Sequence, residues 1–294
     1  MRPGAVTIGF DSVGMVTELL VPKRGSMQGK ARVYVGTCGY SYDDWKGTFY
    51  PERIRQPEML PYYAAHFAAV EIDATYYRVL PPKTFASMAG RTPPNFRFAV
   101  KVPGSVTHAS GAVQVHPDAA AWREGIEPLV AAGKFACALL QFPHGFKPGA
   151  RSEDYLRALG DALSGIPLVV EFRNREWQRD EATRLLRELR MGWTNVDEPQ
   201  FRSLMRPGAE VTSPVAYVRF HGRNYERWWS GDNATRYEYL YTPEELAPWV
   251  ERITDLAANS EVREVYAYFN NHRRGNAARN AEQLETMLKL RGMA

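Results

Sequence analysis

Short runs of β-branched and aromatic residues alternate along this chain with longer stretches whose apolar positions recur at helical spacing. The extended runs are Arg32 to Thr37, Ala69 to Ala74, Phe96 to Lys101, Phe135 to Gln141, Leu168 to Arg173, Met191 to Val196, Val215 to Phe220 and Val265 to Asn270. Such alternation is the pattern of βα units on a parallel sheet. Eight successive strands suit a closed barrel, so the predicted class is α/β: a TIM-type (β/α)8 barrel in a single domain over residues 31–292. Barrels of this kind run to about 250 residues as one unit.

Several element boundaries are readable. Thr242-Pro243-Glu244-Glu245 is a helix start, with Thr242 as N-cap, Pro243 at the first helical position and Glu245 closing a capping box. Ser152 and Asp180 are expected to cap helices that end near Gly165 and Gly192. Residues 198–214 are rich in Pro and Gly and predict only a degenerate sixth helix. A long loop follows the seventh strand. Residues 1–30 read as a poorly ordered leader, and Met27, just ahead of the first strand, is the expected start of translation.

Side chains alternate along a strand, and the set facing the helices must be apolar. Val70, Ile72 and Ala74 therefore send Glu71, Asp73 and Thr75 inward. Leu168, Val170 and Phe172 do the same for Glu171 and Arg173, and Ala216, Val218 and Phe220 for Tyr217, Arg219 and His221. The same reading places Arg97, Lys101, Gln141, Asn195, Asp197, Tyr266, Tyr268 and Asn270 inside. Barrel interiors are normally filled by bulky aliphatic side chains, and this one carries four acids (Glu71, Asp73, Glu171, Asp197) and four bases (Arg97, Lys101, Arg173, Arg219). Buried charge must be paired, so one reading is a structural ion-pair network. Replacing such a network by aliphatics is often neutral or stabilising, and most of these groups end their strands on the face where barrel enzymes build their sites. Together these favour a functional pocket.

Composition narrows the remaining classes. The chain has 294 residues, 45% of them hydrophobic and 24% charged, with a net charge of +4; this mild excess permits an anionic partner without demanding one. Two cysteines, Cys38 and Cys137, make a disulfide framework implausible at this length. No apolar run approaches the length of a membrane span and no secretory signal opens the chain, so a cytoplasmic location is expected and no membrane partner.

The motifs also carry a resemblance. Gly36-Thr37-Cys38-Gly39-Tyr40-Ser41-Tyr42, with Trp45, Gly47 and Phe49-Tyr50-Pro51 after it, resembles the opening of the YecE-like family, domain of unknown function 72. The match continues through Val70 to Arg78, Phe98 to Lys101, Thr107-His108, Leu140 to Pro143, Val170 to Arg173, Arg219 to Arg223, Tyr268 to Asn271 and Gly275 to Ala277. These blocks run in order over nearly the whole chain beyond the leader. Cys38 departs from the pattern, which more often has Ser there. The resemblance implies a TIM-type barrel and supplies no activity. The family's distant likeness to the metal-dependent nuclease endonuclease IV is analogy at the level of fold.

Three chemistries are weighed. A metal-dependent, nuclease-like barrel needs several His and carboxylate ligands; the chain has six His, only His221 and His272 are read as facing the pocket, and the inward cations repel a metal. No cofactor is predicted, and a divalent metal is disfavoured. Glycoside hydrolysis by paired carboxylates fits poorly, because Glu71 and Glu171 lie on well-separated strands, each beside a base that holds it ionised. Anion recognition fits best. Lys101, Arg173, Arg219 and Arg223 would clamp a phosphate or carboxylate, with Glu71, Asp73 or Glu171 as catalytic carboxylates and His221 as proton shuttle or electrophile. Gln141, Asn270, Asn271, Tyr76 and His108 complete the candidate substrate-binding set.

The loop after the seventh strand holds Tyr225, Trp228, Trp229, Tyr237, Tyr239 and Tyr241 with Arg223, Arg227 and Arg236. Rings mixed with arginines suit stacking on bases and contact with phosphates, or the rings pack among themselves as a compact lid. Tyr40, Tyr42, Trp45 and Tyr50 are expected at the same rim. The leading expectation is an enzyme, a hydrolase or lyase acting on a phosphorylated or nucleotide-like anion. The alternative is a binding protein for single-stranded nucleic acid or a small anion. The sequence is silent on oligomeric state.

Overall fold

The computed structural model describes residues 31–108 and 114–293; the leader and the expected start at Met27 lie outside them. Eight parallel strands form one sheet in the order β1-β8-β7-β6-β5-β4-β3-β2. They are β1 Arg32–Thr37, β2 Ala69–Ile72, β3 Arg97–Lys101, β4 Phe135–Gln141, β5 Leu168–Glu171, β6 Gly192–Asp197, β7 Val215–Phe220 and β8 Glu264–Phe269. Around them lie α1 Gln56–His66, α2 Pro82–Gly90, a short α3 Gly104–Thr107, α4 Asp118–Ala131, α5 Ala150–Ala162, α6 Asp180–Glu188, a short α7 Asn233–Arg236, α8 Pro243–Ala258 and α9 Asn276–Leu290. The architecture is the TIM-type barrel read from the sequence. Among the described residues, no helix is long and apolar enough to cross a membrane.

The sheet closes between β1 and β2 without a regular ladder. A Cβ at Gly36 would lie 2.2 Å from the Ala69 carbonyl oxygen, so only glycine permits the approach. The Tyr63 hydroxyl of α1 accepts the Thr37 N–H at 2.9 Å and donates to the Ala69 carbonyl at 3.0 Å. It thereby satisfies backbone groups that the missing ladder leaves free. A single bridge then pairs Cys38 with Glu71.

Below the polar layer the interior is packed. Tyr217, Tyr266 and Tyr268 on β7 and β8 meet Ala69, Ala99 and Cys137 on β2, β3 and β4. Large side chains on one wall against small ones on the other fill the barrel without a channel. Both cysteines are free and buried. The larger core lies between sheet and helices, where Val70, Val170, Val218, Phe220 and Trp249 belong to one continuous cluster.

The structure revises three local expectations. α8 begins as predicted, with Thr242 capping the Glu245 N–H and the reciprocal bond present. α5, however, starts after Gly149, which leaves Ser152 inside the helix, and α6 takes Arg179 as its N-cap with Asp180 as its first residue. No helix forms over residues 198–214, where Pro199, Pro207, Gly208 and Pro214 deny helical backbone its donors and geometry. The third revision concerns β6. Asn195 pairs with Val218 and Asp197 with Phe220, and paired residues share a face, so Asn195 and Asp197 point out of the barrel. An irregular segment covers this strand in place of a helix, and its backbone needs partners: Asn195 accepts the Glu210 N–H at 2.8 Å and donates to the Glu210 carbonyl at 3.1 Å.

Candidate functional site

The C-terminal ends of the strands open into a cavity of about 720 Å³. Asp73 after β2, Lys101 at the end of β3, Gln141 at the end of β4, Arg173 after β5, Arg219 on β7 and Asn270 after β8 all line it. Tyr40, Tyr42, Tyr76, Tyr77, Trp228, Trp229 and Tyr237 supply aromatic walls, and His108, His144, His272 and Arg236 complete the polar lining.

Arg219 organises the floor. Its Nε and Nη2 bind the two oxygens of Glu71 at 2.9 and 2.6 Å, and Nη1 reaches Glu171 Oε2 at 2.6 Å. Glu71 and Glu171, read from the sequence as well separated, thus share one guanidinium, because the barrel is narrow enough for an arginine from β7 to span it. Arg173 lies 2.5 Å from Glu171 Oε1 and 3.2 Å from Glu198 Oε2. Tyr217 donates to Glu71 at 2.6 Å, and the Met205 N–H donates to Glu198 at 3.0 Å.

Glu198 is the buried acid that the sequence reading missed. With Asn195 and Asp197 turned outward, the next inward residue beyond Val196 is Glu198. The pattern concealed this because the outward set of β6 is Trp193, Asn195 and Asp197, which is not apolar. Arg97 leaves the set too. It lies at the opposite end of the barrel, with Nε 3.7 Å from Glu264 and its guanidinium on the Gly133 carbonyl.

The floor therefore holds four carboxyls (Glu71, Asp73, Glu171, Glu198) against three cations (Lys101, Arg173, Arg219). A fully ionised set would bury a net negative charge, which costs several kcal/mol, so protonation of a carboxyl is favoured. Burial pushes the Glu71 carboxyl up to about 7 against the pull of Arg219, and burial pushes Glu198 up to about 8 against Arg173. Burial also opposes ionisation of Asp73 and Glu171, but cations prevail: Lys101 and Arg219 hold Asp73 low, and Arg173 and Arg219 hold Glu171 well below the usual carboxylate range.

Asp73 differs from the other three acids in access. Its side chain is 26% exposed, and Arg219 Nη2 stands 3.7 Å from its Oδ1. Oδ1 accepts no bond from an N–H or hydroxyl, and the Glu71 carboxyl, when protonated, donates to Asp73. Lys101 is anchored through its carbonyl, which accepts bonds from Thr75 and the Trp122 indole. Its ammonium rides 4.4 Å over the Tyr76 ring and has no ion-pair partner among the described residues. His108 is driven down to about 4 by burial and by the charges of Lys101 and Arg173, so the ring is neutral at pH 7.

Three sequence-predicted residues stand elsewhere. His221, two residues beyond Arg219 on β7, is fully buried and does not line the cavity. Burial and then Arg173 take it down to about 3; its Nδ1 meets the Asn270 amide at 3.1 Å and its Nε2 lies 3.2 Å from Glu171. The ring is neutral at pH 7 and closed off from the cavity. Arg223 is held on the outer face of β6 by Asp197 at 2.8 and 2.7 Å. Asn271 donates to the Tyr239 carbonyl and to Asn280, each at 2.9 Å, tying the loop to α9. The loop rings also divide: Trp228 and Tyr241 are buried, whereas Trp229 and Tyr225 are exposed. Of the rings expected at the rim, Trp45 and Tyr50 are buried instead.

The sulfur of Cys38 and oxygens of Glu71 and Asp73 lie within 4.8 Å of one another, which is a spacing a metal ion can bridge. The fit fails on charge, because Arg219 Nη2 is already the cation among them, 3.4 Å from Cys38 Sγ and 2.6 Å from Glu71 Oε1. Burial keeps the Cys38 thiol protonated, and a coordinating thiol must lose its proton.

Comparison with known proteins agrees with the architecture. UPF0759 protein YunF of Bacillus subtilis (strain 168) is 30% identical over 274 residues, which is 88% of this chain and 95% of that protein. A crystal structure of a DUF72 family protein from Thermotoga maritima MSB8 is 40% identical, covers 88% of this chain and 99% of its own, and superposes with a TM-score of 0.81. Another from Enterococcus faecalis V583 is 27% identical over 87% of this chain and 95% of its own, with a TM-score of 0.77. The family model described as protein of unknown function DUF72 matches residues 34–294, and the chain belongs to that family.

Proposed function

We propose that this protein is an enzyme, a hydrolase or lyase, that takes a small phosphorylated or nucleotide-like anion into the barrel mouth. One observation carries the reading: a partly exposed carboxylate, Asp73, held by Arg219 only at 3.7 Å, shares a cavity with Lys101, a cation without an ion-pair partner among the described residues. A structural network satisfies its own members. Here a cation is left without an ion pair beside a partly exposed carboxylate.

The chemistry divides accordingly. Lys101, with Arg236 from the loop, would hold the anionic group, and Lys101 and Arg173 add to the burial that keeps His108 neutral beside it. Asp73, kept ionised by Lys101 and Arg219, would accept a proton from water or from an acidic C–H of the substrate. Glu71 lies directly behind it and titrates near neutrality, the range in which general acid–base groups work best. Arg219, Glu171, Arg173 and His221 hold the two carboxyls in place, and the aromatic walls exclude water and accommodate a flat or sugar-like body.

Turnover of a panel of nucleotides and sugar phosphates, followed by phosphorus NMR, tests this. The wild-type protein is expected to convert one class of compound, and Asp73→Asn to bind it with a ~10²–10⁴-fold lower rate. An Asp73→Asn variant as active as wild type would overturn the assignment.

A further inference from the structure

A second groove runs on from the cavity at the barrel rim. It has a volume of about 830 Å³ and is lined in part by Lys147, Arg175, Phe201, Arg202 and Trp229. His144 and Trp229 line both spaces, so the groove continues the cavity across a wall made of those two rings, in edge contact at 5.8 Å.

Its charge and its rings point the same way. Lys147 is neutralised by Glu176 at 2.7 Å. Arg175 and Arg202 are exposed and have no ion-pair partner among the described residues, so the groove is left with two positive charges. Trp229 is 57% and Tyr225 50% exposed. Both pack on Phe201, at 5.9 and 5.3 Å between ring centres, and form a supported aromatic platform on the surface. A large exposed indole held in place beside unpaired arginines is the combination that binds single-stranded nucleic acid: rings stack on bases of any sequence, and arginines meet phosphates. An acidic peptide would use the arginines and leave the platform without a partner.

We infer that the groove is a subsite for the continuing strand of a single-stranded oligonucleotide. The terminal nucleotide enters the cavity, the next base stacks on Trp229, and its phosphates lie on Arg175 and Arg202. This deepens the anion reading of the cavity and rests on it only for the terminal unit.

Fluorescence anisotropy with a fluorescein-labelled hexathymidylate, with unlabelled thymidine 5′-monophosphate as competitor, tests the inference. The hexamer is expected to bind at least ~10-fold more tightly than the monophosphate, with a steep salt dependence. Trp229→Ala should weaken the hexamer by ~5- to ~150-fold, the range for loss of one stacked base. The double variant Arg175→Ala, Arg202→Ala should reduce the salt slope by about 1.4, at ~0.7 per phosphate on a single strand. All three side chains are exposed, so the variants are expected to melt with the wild type. A hexamer that binds no better than the monophosphate would overturn the inference, as would affinity indifferent to both variants or a hexaglutamate peptide binding equally well. Lys101→Met separates the two readings. If the monophosphate binds through Lys101 and the hexamer gains nothing, the groove fails and the cavity stands. If the hexamer depends on Trp229 and the arginines while Lys101 is irrelevant to either ligand, the groove stands and the cavity reading fails.

Discussion

Two buried ionic clusters lie back to back across the barrel wall at β6 and β7. Outside, Asp197 accepts four hydrogen bonds, two from Arg223 at 2.8 and 2.7 Å, one from Tyr241 at 2.8 Å and one from Trp249 at 2.6 Å. Its lone-pair directions are occupied, and Arg223 turns its remaining nitrogen toward Glu245 at 3.4 Å. Inside, Arg219 binds both oxygens of Glu71 and Oε2 of Glu171, and Arg173 stands 2.5 Å from Glu171 Oε1 without a hydrogen bond. The layer above holds Asp73 at 3.7 Å from Arg219 and Lys101 without an ion pair among the described residues. Each cluster is built around a fully buried carboxylate held by an arginine. What separates scaffold from site is the set of groups left unsatisfied, since a protein that needs only stability does best to pair every buried charge or to replace it with apolar packing.

That contrast breaks most visibly under truncation. Asp197→Ala strips partners from Arg223, Tyr241 and Trp249 together and is expected to lower unfolding free energy by about 3–5 kcal/mol, read from urea denaturation, while ligand affinity of the folded fraction stays the same. Loss of ligand binding in a folded Asp197→Ala protein would blur the division.

The next effect is a pH dependence peculiar to the inner cluster. Glu71 and Glu198 have folded-state values near 7 and 8, above the ~4.3 of an unfolded glutamate. The folded state therefore holds more protons than the unfolded state between those limits. Their stabilisation is complete below about pH 4.3 and is lost as pH rises to 7 and 8. The slope is about 1.4 kcal/mol per pH unit for each group. Asp73 and Glu171 are shifted downward and act only below the carboxylate range. His108 and His221, depressed to about 4 and about 3 from an unfolded ~6.5, oppose the glutamates below that pH. Chemical denaturation from about pH 6.5 to 8 therefore isolates the two glutamates. Stability that rises across that interval would contradict the assignment.

Smaller effects sharpen the picture. Asp73→Asn removes a charge that Arg219 holds only at 3.7 Å, and unfolding free energy is expected to change by less than about 1 kcal/mol or to rise, as happens when function rather than stability has kept a group. A loss comparable to that of Asp197→Ala would make Asp73 structural. Glu198→Gln keeps shape and acceptors and mimics the protonated acid, so at pH 7 it should shift stability by less than about 1 kcal/mol while flattening the decline toward pH 8.

The strands were legible because their outward faces are apolar at a period of two: Val70 and Ile72, Val170 and Phe172, Val218 and Phe220 each point their neighbours inward. Glu71, Asp73, Glu171, Lys101, Arg173 and Arg219 follow from that rule alone. It failed on β6, where residues 198–214 form no helix and the outward positions are Trp193, Asn195 and Asp197. A strand covered by irregular backbone is chosen for hydrogen bonding, and its hydropathy then misleads. The same failure hid Glu198 and put Asp197 in the site. Arg223 is bound to Asp197 and Asn271 ties the loop to α9, and no pattern in the chain distinguishes a residue that shapes the rim from one that touches a ligand. The division of the loop rings into buried Trp228 and exposed Trp229 was likewise decided by tertiary packing.

The central claim is that Lys101 stands without an ion pair among the described residues, beside a partly exposed Asp73, because a ligand completes the site. Native mass spectrometry of gently purified wild-type protein beside Lys101→Met tests it most directly. The account predicts one small anionic molecule per wild-type chain, or its stoichiometric uptake from a nucleotide and sugar-phosphate mixture. It predicts loss of that species in Lys101→Met at an unchanged melting temperature. Equal retention by both proteins, or no uptake by either together with a lower melting temperature for Lys101→Met, would show that the lysine belongs to the scaffold.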